Sequence, residues 1–302
     1  MNLESLANPK VKYVVKLRQR SHRDAAGQML IEGYRECRRA LDNGCRPEML
    51  FYCEELYFKN LNEPAIVEEC RQQGVDCFAC TPPVFKKMAY RERPEGLLMV
   101  APQLNRRLHE LKLPEKALVL VAESIEKPGN LGTILRSADA AGVHAVIVCD
   151  RCTDIHNPNV VRASTGTLFS IPVVETTSSE ALAFLQQHKF QILAATPHAE
   201  KLHCDVKLSG MTAIVLGTEQ YGLSKIWMDA ATLRVRIPML GLADSLNVAA
   251  AATILLFEAL RQRVRAGVVT VPPERQYYAS RTELPGSSLT DEPPGCHGPR
   301  LQ

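Results

Sequence analysis

The sequence predicts an α/β protein in which a parallel sheet fills the second half of the chain and a smaller α/β domain precedes it. Two observations carry this prediction. From residue 117 onwards, runs rich in Val, Ile and Leu alternate with helical patterns, as in a parallel sheet covered on both faces. Before residue 105, shorter apolar runs alternate with helical patterns, which indicates a small α/β domain of its own.

The chain has 302 residues, of which 46% are hydrophobic, enough for two domains with a buried core. We predict an N-terminal domain (1–105), a polar linker (106–116), the parallel-sheet domain (117–270) and a proline-rich disordered tail (271–302). No apolar run reaches membrane-spanning length, and the N-terminus lacks the apolar core of a secretory signal. The sequence therefore predicts a cytoplasmic protein with no membrane partner.

In the N-terminal domain we expect a basic helical stretch near residues 8–20, followed by alternating strands and helices. The helices are predicted at Tyr34–Asn43 and 62–73, and the strands at the segments MLIEG, LFYCE, VDCFAC and GLLMVAPQ. Nine Lys and Arg residues face four acidic residues between positions 1 and 40, although the whole chain has a net charge of only +3. This excess fits an RNA-contacting surface, and it also fits a solvated helix face.

In the parallel-sheet domain the predicted strands are ALVLVAES, HAVIVC, FQILAAT, TAIVLGTE and LRVRIPM, and the predicted helices are Asn130–Ala141, SSEALAFLQQH and Ser245–Arg265. The last helix is rich in alanine at its start and ends in arginines, which complement the negative end of its dipole.

Ten cysteines are spread along the chain, including two Cys-x-x-Cys pairs, Cys77/Cys80 and Cys149/Cys152. Without the dense spacing of a small secreted scaffold, reduced and mostly buried thiols are expected. A zinc site would require the two pairs to meet across a long sequence separation. We therefore interpret them as core or strand-end residues and predict no metal.

Three segments carry residues suited to chemistry. The first, Lys127–Arg136, brings Asn130 to a helix start through a Pro-Gly turn, where it caps the helix or points into a cleft. Arg136 lies less than two turns further on, at the edge of the same cleft or on the plain surface. Neither residue is assigned by spacing alone.

The second segment, IVLGTEQYGLS, runs from a strand into Gly217, which permits close backbone approach to a ligand. Glu219 caps the following helix near Leu223 or holds a ligand. The absence of a following Gly-Lys-Ser/Thr excludes a Walker phosphate loop.

The third segment, VRIPMLGLADSLNVAA, passes from a strand through a turn into the last helix. Ser245 and Asn247 are candidates for helix capping or for a site.

Together, in this order, the three segments resemble the motifs of the SpoU, or TrmH-like, RNA ribose methyltransferases of the SPOUT superfamily. The resemblance implies a SPOUT-type parallel sheet with a C-terminal trefoil knot, preceded by a ribosomal-protein-like RNA-binding domain. It also implies methyl transfer from S-adenosyl-L-methionine to a ribose 2′-hydroxyl of RNA, at guanosine or uridine. Family members usually have Gly-Asn-Glu in the second motif, whereas this chain has Thr218 in place of the asparagine.

The resemblance also implies partners and site residues: 23S-type ribosomal RNA in preference to transfer RNA, and a homodimer. The implied catalytic residues are Arg136, Asn130, Glu219, Ser245 and Asn247. The implied cofactor-binding residues are Thr196, Leu216, Gly217, Ile237, Met239 and Leu246. The RNA-binding candidates, which combine the basic N-terminus with the family's cleft border, are Lys10, Lys12, Arg18, Arg35 and Arg162.

The role of Arg136 has two interpretations. The family implies that this arginine assists removal of the ribose proton, yet a guanidinium group stays protonated at ordinary pH and is a poor base. Binding a phosphate through its bidentate fork asks less of the surroundings. The alternative function is that of a catalytically inactive RNA-binding protein of the same fold. A nicotinamide-dependent dehydrogenase is excluded, because this sequence lacks the Gly-x-Gly-x-x-Gly fingerprint after its first strand.

Overall fold

The structure is a computed structural model that describes residues 2–57 and 62–271. Residues 1–269 form one compact unit that contains two sheets. Nearly all of the predicted disordered tail, residues 272–302, lies outside the described residues. No helix within the described part is long and apolar enough to cross a membrane.

The first sheet has five strands in the order β1-β4-β3-β5-β2, with β5 antiparallel to both of its neighbours and the other pairs parallel. Its elements in chain order are β1 (Asn2–Leu3), α1 (Pro9–Lys16), α2 (Arg20–Ala26), β2 (Gln28–Glu32), α3 (Tyr34–Asp42), β3 (Met49–Tyr52), a 3₁₀ turn (Glu54–Leu56), α4 (Glu63–Gln72), β4 (Asp76–Cys80), α5 (Pro82–Met88) and β5 (Leu97–Pro102).

The basic helical stretch predicted near residues 8–20 is confirmed in α1, although the helix ends at Lys16 and Arg20 already begins α2. Asn8 caps α1 by accepting the backbone N–H of Lys10. The chain leaves that helix at Leu17, whose side chain is fully buried in the core. The sequence also missed α5, which begins with two prolines. Proline is tolerated in the first helical turn, where its missing N–H has no partner in any case.

The second sheet has seven strands in the order β10-β12-β9-β11-β6-β7-β8, and every neighbouring pair is parallel, which confirms the predicted parallel sheet. Its elements are a 3₁₀ turn (Leu108–Glu110), β6 (Leu118–Glu123), α6 (Pro128–Ala140), β7 (Ala145–Cys149), α7 (Pro158–Ala163), β8 (Val173–Thr176), α8 (Ser178–Gln187), β9 (Gln191–Ala195), β10 (Lys201–Leu202), β11 (Thr212–Leu216), α9 (Lys225–Ala230), β12 (Leu233–Arg236) and α10 (Val248–Arg265). The short helices α7 and α9 were not predicted.

Two predicted helix starts need correction. Helix α6 begins at Pro128, so Asn130 lies inside its first turn and the capping position is Lys127. Helix α10 begins at Val248, so the capping position is Asn247 and not Ser245. The true start of α6 lies two residues before the predicted one, and the true start of α10 lies three residues after it.

One apolar core runs through both sheets. It includes Ile31 and Leu50 from the first sheet, Leu120 from the second sheet and Ile134 from α6. Part of the predicted polar linker is apolar in its contacts, since Leu108, Leu111 and Leu113 pack on a second cluster, which contains Val119 and Ile147 of the parallel sheet. The domain boundaries near residue 105 therefore stay a prediction, and so does the trefoil knot, which strand order alone does not test.

The two sheets are also joined by polar contacts. A buried ion pair links Arg23 of α2 to Asp154, with 3.0 Å between Nη2 and Oδ2, and both side chains are at most 3% exposed. Arg39 of α3 donates to the backbone oxygen of Thr165 at 2.6 Å. The N-terminal part is thus held in a fixed position against the parallel-sheet part.

Candidate active site

The candidate site lies where the carboxyl end of β6, the loop after β11 and the start of α10 meet. Ser124 follows β6 with φ of 51°, a left-handed conformation that is costly outside glycine and typical of functional sites. This residue directs the chain from β6 towards Lys127 and the start of α6. Helices α6 and α10 pack together, and a 2.7 Å hydrogen bond joins Ser137 to Thr253.

The carboxylate of Glu219 is the centre of the site. Its Oε1 accepts hydrogen bonds from the amide nitrogens of Asn130 and Asn247, the latter at 2.9 Å. Its Oε2 accepts from Nζ of Lys127 at 2.9 Å. Both oxygens are therefore engaged and the charge is compensated, so this carboxylate organises the site rather than offering a free base.

Asn247 serves the fold and the site at once. Its Oδ1 accepts the backbone N–H groups of Ala249 and Ala250, which makes it the N-cap of α10. Its Nδ2 donates to Glu219 and, at 3.2 Å, to Oδ1 of Asn130. The capping interpretation of this residue is therefore confirmed, and its catalytic role stays a prediction that these contacts with Asn130 and Glu219 support.

Lys127 was not predicted as a site residue. It precedes α6, and its ammonium group crosses to Glu219, whose hydrogen bond and negative charge raise the pKa of Lys127. A small, shallow cleft lies beside this ion pair. The cleft is lined by Ile125, Glu126, Lys127, Asn130, Thr218, Glu219 and Val248. A lysine beside the Pro-Gly turn was the available signal in the sequence.

The loop after β11 is shaped by Gly217 and Thr218. A Cβ atom on Gly217 would lie 2.1 Å from the backbone oxygen of Gly222, so the residue is required by the loop's own close return. Thr218 pairs with Gly222 through backbone hydrogen bonds, and its Oγ1 accepts the N–H of Tyr221 at 2.9 Å. Threonine at the family's usual asparagine position thus holds the turn that presents Glu219.

Glu123 is a second residue that sequence reasoning missed. This carboxylate ends β6, is 4% exposed, and accepts the backbone N–H of Ser224 at 2.9 Å. It also accepts from the hydroxyl of Ser178, to which the indole N–H of Trp227 donates. Glu123, and not Glu219, therefore satisfies the backbone at the start of α9, and the predicted capping role of Glu219 near Leu223 is wrong. A glutamate at the end of an otherwise apolar strand was the signal.

Two other predicted catalytic residues lie apart from this network. Arg136 is exposed on α6, whose opposite face is buried through Leu131, Ile134 and Leu135. Ser245 is exposed in the loop before α10. Neither side chain has a hydrogen-bond partner among the described residues, so both are available to a ligand.

The predicted cofactor-binding residues follow three adjacent strands. Leu216 ends β11, while Thr196 and Ile237 directly follow β9 and β12, at the carboxyl edge where α/β sheets bind ligands. Met239 and Leu246 are half-buried in the loop that follows. Within residues 2–57 and 62–271, the backbone N–H groups of Ile237, Met239 and Leu246 have no hydrogen-bond acceptor. None of the six residues predicted for the cofactor lines the cleft beside Glu219.

The five RNA-binding candidates fall into two groups. Lys12, Arg35 and Arg162 are exposed. Arg18 donates to the backbone oxygens of residues 87–89, and the ammonium of Lys10 lies 4.6 Å from the centre of the Phe78 ring. The last two cations therefore already have partners in the fold.

The cysteines are free thiols in the described part of the chain, and five of those nine are buried. Cys80 and Cys149 end strands β4 and β7, as expected for strand-end residues, whereas Cys152 is exposed. No group of three or more His, Cys, Asp or Glu side chains among the described residues is arranged to hold a metal ion.

Comparison with known proteins identifies the class of this chain. The model of the SpoU rRNA methylase family matches residues 117–257, and that of the MRM3-like substrate binding domain matches residues 8–99. The chain is 33% identical over 266 residues to the 23S rRNA (uridine(2479)-2′-O)-methyltransferase of Streptomyces viridochromogenes, covering 85% of this chain and 90% of the relative. The protein therefore belongs to the SpoU methyltransferase family.

Two further matches extend the likeness over both parts of the molecule. The 23S rRNA (guanosine(2553)-2′-O)-methyltransferase RlmP of Bacillus subtilis is 29% identical, with 84% of this chain and 97% of the relative covered. The crystal structure of the SpoU methyltransferase AviRb of S. viridochromogenes in complex with AdoMet matches with a TM-score of 0.77 at 30% identity, covering 85% of this chain and all of that one.

Proposed function

We propose that this protein is an S-adenosyl-L-methionine-dependent methyltransferase that modifies a ribose 2′-hydroxyl of 23S-type ribosomal RNA, at a uridine or a guanosine. The observation that carries the proposal is the network of Asn130, Glu219 and Asn247 beside the helix that bears Arg136. The intact network together with an unpaired Arg136 favours an enzyme over a protein retained only for binding RNA. Transfer RNA is the less favoured substrate, because two relatives that span both parts of the chain are named for 23S ribosomal RNA, while a third is named for both tRNA and rRNA.

The residues after β9, β11 and β12 suit the cofactor. Half-buried apolar side chains beside unused backbone donors fit an adenine ring and its ribose. Thr196, Leu216, Gly217, Ile237, Met239 and Leu246 would hold the cofactor. When bound there, it supplies an electrophilic methyl group.

The protein's own residues position the acceptor. Glu219 fixes the amides of Asn130 and Asn247, and Lys127 balances its charge. Arg136, exposed and without a partner among the described residues, binds a phosphate of the RNA and directs the 2′-hydroxyl towards the methyl group. Alignment of this kind supplies much of the rate acceleration, since transfer requires only a well-placed oxygen and removal of its proton.

The proposal is tested with purified protein, radiolabelled S-adenosyl-L-methionine and ribosomal RNA from cells that lack the protein. Wild type should transfer label to the RNA at one nucleotide that resists alkaline cleavage, and Arg136→Ala should lose most of this activity while still binding the cofactor. Arg261→Ala, a surface arginine on α10 paired with Glu258, is the matched control and should stay active. Cofactor binding without methylation of any ribosomal RNA would favour the inactive alternative.

We also propose that the protein acts as a homodimer in the cytoplasm. On α10, Ile254 and Phe257 are 37% and 45% exposed, opposite the face that packs on the parallel sheet, and Leu240 and Leu242 are fully exposed in the preceding loop. A second copy would bury these apolar side chains. Phe257→Glu should give a monomer by light scattering, whereas Leu6→Glu, at an exposed apolar position of the N-terminal part, should leave the mass unchanged.

A further inference from the structure

Tyr90 is an aromatic residue that the mechanism does not use. Its side chain is 39% exposed, in the loop between α5 and β5. Side chains hold the backbone on both sides of Tyr90 through hydrogen bonds. The buried carboxylate of Glu32 accepts the N–H groups of Tyr90 and Arg91, while Arg18 donates to the carbonyl oxygens of residues 87–89. These hydrogen bonds therefore fix the position of the exposed ring before any ligand binds.

The tip of the ring is tied to the parallel-sheet part of the molecule. The phenol oxygen of Tyr90 accepts a 3.1 Å hydrogen bond from Nδ2 of Asn159 on α7. One helical turn further along α7 lies the exposed Arg162. The ring thus lies where the two parts of the molecule meet. Its partner Asn159 shares α7 with the cation of Arg162.

Helix α7 connects this junction with the active site. Its end packs so tightly on α6 that a Cβ atom on Gly132 would lie 2.4 Å from the Cβ atom of Ala163. Gly132 stands between Asn130 and Arg136 on α6. A strand of RNA with its target nucleotide at Arg136 can therefore run along α7, past Arg162, to Tyr90.

The charge around Tyr90 suits such a strand. Arg18 donates to the carbonyl of Ala89 just before it, Arg93 is exposed three residues further along the same loop, and Arg162 is exposed one turn beyond Asn159; Glu92 is an exposed acidic residue of this loop. An exposed aromatic ring among arginines is the combination with which proteins bind unpaired nucleotides, through stacking on the ring and phosphate contacts around it.

We propose that Tyr90 is a stacking platform for an unpaired base that flanks the methylated nucleotide, with Arg162 and Arg93 holding the adjoining phosphates. This inference rests on the proposed RNA methyltransferase function and names the substrate feature it requires, a single-stranded segment next to the target. A double-stranded target would offer no base to the ring.

The competing role for Tyr90 is purely structural, as a hydrogen-bond bridge between the two parts of the molecule. Two variants separate the roles. Tyr90→Phe keeps the aromatic face and loses the bridge, whereas Tyr90→Leu keeps apolar bulk and loses the aromatic face. Asn159→Ala removes the bridge from the other side and leaves the ring in place.

Steady-state methylation of ribosomal RNA is the measurement. Stacking predicts that Tyr90→Leu and Tyr90→Ala raise KM for RNA by about 5- to 100-fold, with kcat at saturating RNA and cofactor affinity unchanged. Tyr90→Phe and Asn159→Ala should stay within about twofold of wild type, since the aromatic face survives. Leu6→Ala, a truncation of an exposed apolar side chain elsewhere, should have no effect. Wild-type KM in Tyr90→Leu, or a KM raised equally in Tyr90→Phe, would overturn the proposal.

Photo-crosslinking gives an independent readout. Ribosomal RNA transcribed with 5-bromouridine and irradiated with the full-length protein should form an adduct on the peptide that contains Tyr90. Adducts confined to other peptides would contradict stacking at this ring. Should wild type methylate no RNA, the proposed function itself fails; should it methylate RNA while Tyr90→Leu matches it, only this inference fails.

Discussion

At the scale of single residues, Asn247 shows how one amide can connect stability and chemistry. Its oxygen caps α10 and its nitrogen holds Glu219 and Asn130. Because the two atoms have different partners, the two functions can be separated by substitution.

Asn247→Ala should lose about 1 kcal/mol of stability through the missing cap, together with most of the activity. Asn247→Ser restores an oxygen at the capping position but supplies no amide donor for Glu219. We therefore expect its unfolding midpoint to return towards wild type while methylation stays low. Thermal unfolding and the methylation assay together check this, and full activity in Asn247→Ser would show that the Glu219 contact is dispensable.

Glu123 acts one step from the site. Its carboxylate holds the backbone of Ser224 at the end of the loop that carries Glu219. We expect Glu123→Gln to retain this acceptor and to lower kcat only modestly. Glu123→Ala leaves the N–H of Ser224 and the buried hydroxyl of Ser178 without their acceptor, which should cost about 1 to 3 kcal/mol and lower kcat without changing the RNA KM. An equal loss in both variants would show that the negative charge itself matters.

Arg263 illustrates a buried cation that is satisfied by backbone alone. It is 1% exposed, and its guanidinium donates to carbonyl oxygens at positions 116, 117, 208 and 210. Desolvation by burial lowers its pKa. Sequence reasoning placed this arginine only as a complement to the helix dipole, since nothing in a linear pattern reveals that two distant segments, 116–117 and 208–210, turn their carbonyls towards one side chain.

At the scale of elements, the contact between α2 and the loop before α7 joins the two sheets. The ion pair of Arg23 and Asp154 is almost fully buried. Breaking it by Arg23→Met should cost about 3 to 5 kcal/mol, because Asp154 keeps a charge without its partner. The double variant Arg23→Met/Asp154→Leu should recover most of this loss in urea unfolding. Additive losses in the double variant would argue against direct coupling of the two side chains.

A pH-dependent contact lies beside it. His156 is 2% exposed, its Nε2 lies 3.0 Å from the backbone nitrogen and 3.2 Å from the backbone oxygen of Leu104, and burial lowers its pKa below the ordinary 6.5. The unfolded chain thus binds a proton at His156 more readily than the folded one, and stability should fall as the pH drops below about 6.5. Nearby Glu175, Asp154 and Arg23 also face this ring.

The measurement is the unfolding midpoint between pH 7.5 and 5.5 for wild type and His156→Gln. The variant should show a shallower decline, because one depressed histidine is gone. His144, with a pKa also lowered by burial, remains in both proteins, and the buried carboxyls of Glu32 and Glu36, with raised pKa values, contribute with the opposite sign in both. Identical slopes would rule out His156 as a source of acid sensitivity.

Elements with strong periodicity were predictable, and short or bridging ones were not. The apolar strands and the long helix α10 have many residues whose pattern repeats, whereas α7 has six residues and is stabilised by its contacts with α6 and β2. Helix starts were misplaced where two polar residues compete, as with Ser245 and Asn247. The choice between them depends on which side chain can reach the helix N–H groups, and this is a three-dimensional property.

At the scale of the whole molecule, the three motifs indicated the family and the residues Asn130, Glu219 and Asn247, which the structure brings into one network. The motifs could not indicate Lys127, Glu123 or Thr218 in their actual roles, because each acts through a contact across at least 90 residues or through a backbone turn. The family assignment fixed the chemistry, and the fold supplied the supporting contacts.

The shared apolar core has a consequence for folding during synthesis on the ribosome. The N-terminal sheet leaves the ribosome first, yet Ile31 and Leu50 belong to a core completed by Leu120, Ile134 and Val160, which are synthesised later. Until β6 to α7 have emerged, part of this sheet presents apolar surface to the cell, the kind of intermediate that aggregates or engages chaperones. A nascent chain halted near residue 105 should therefore bind a holdase chaperone, and one extended beyond residue 165 should release it.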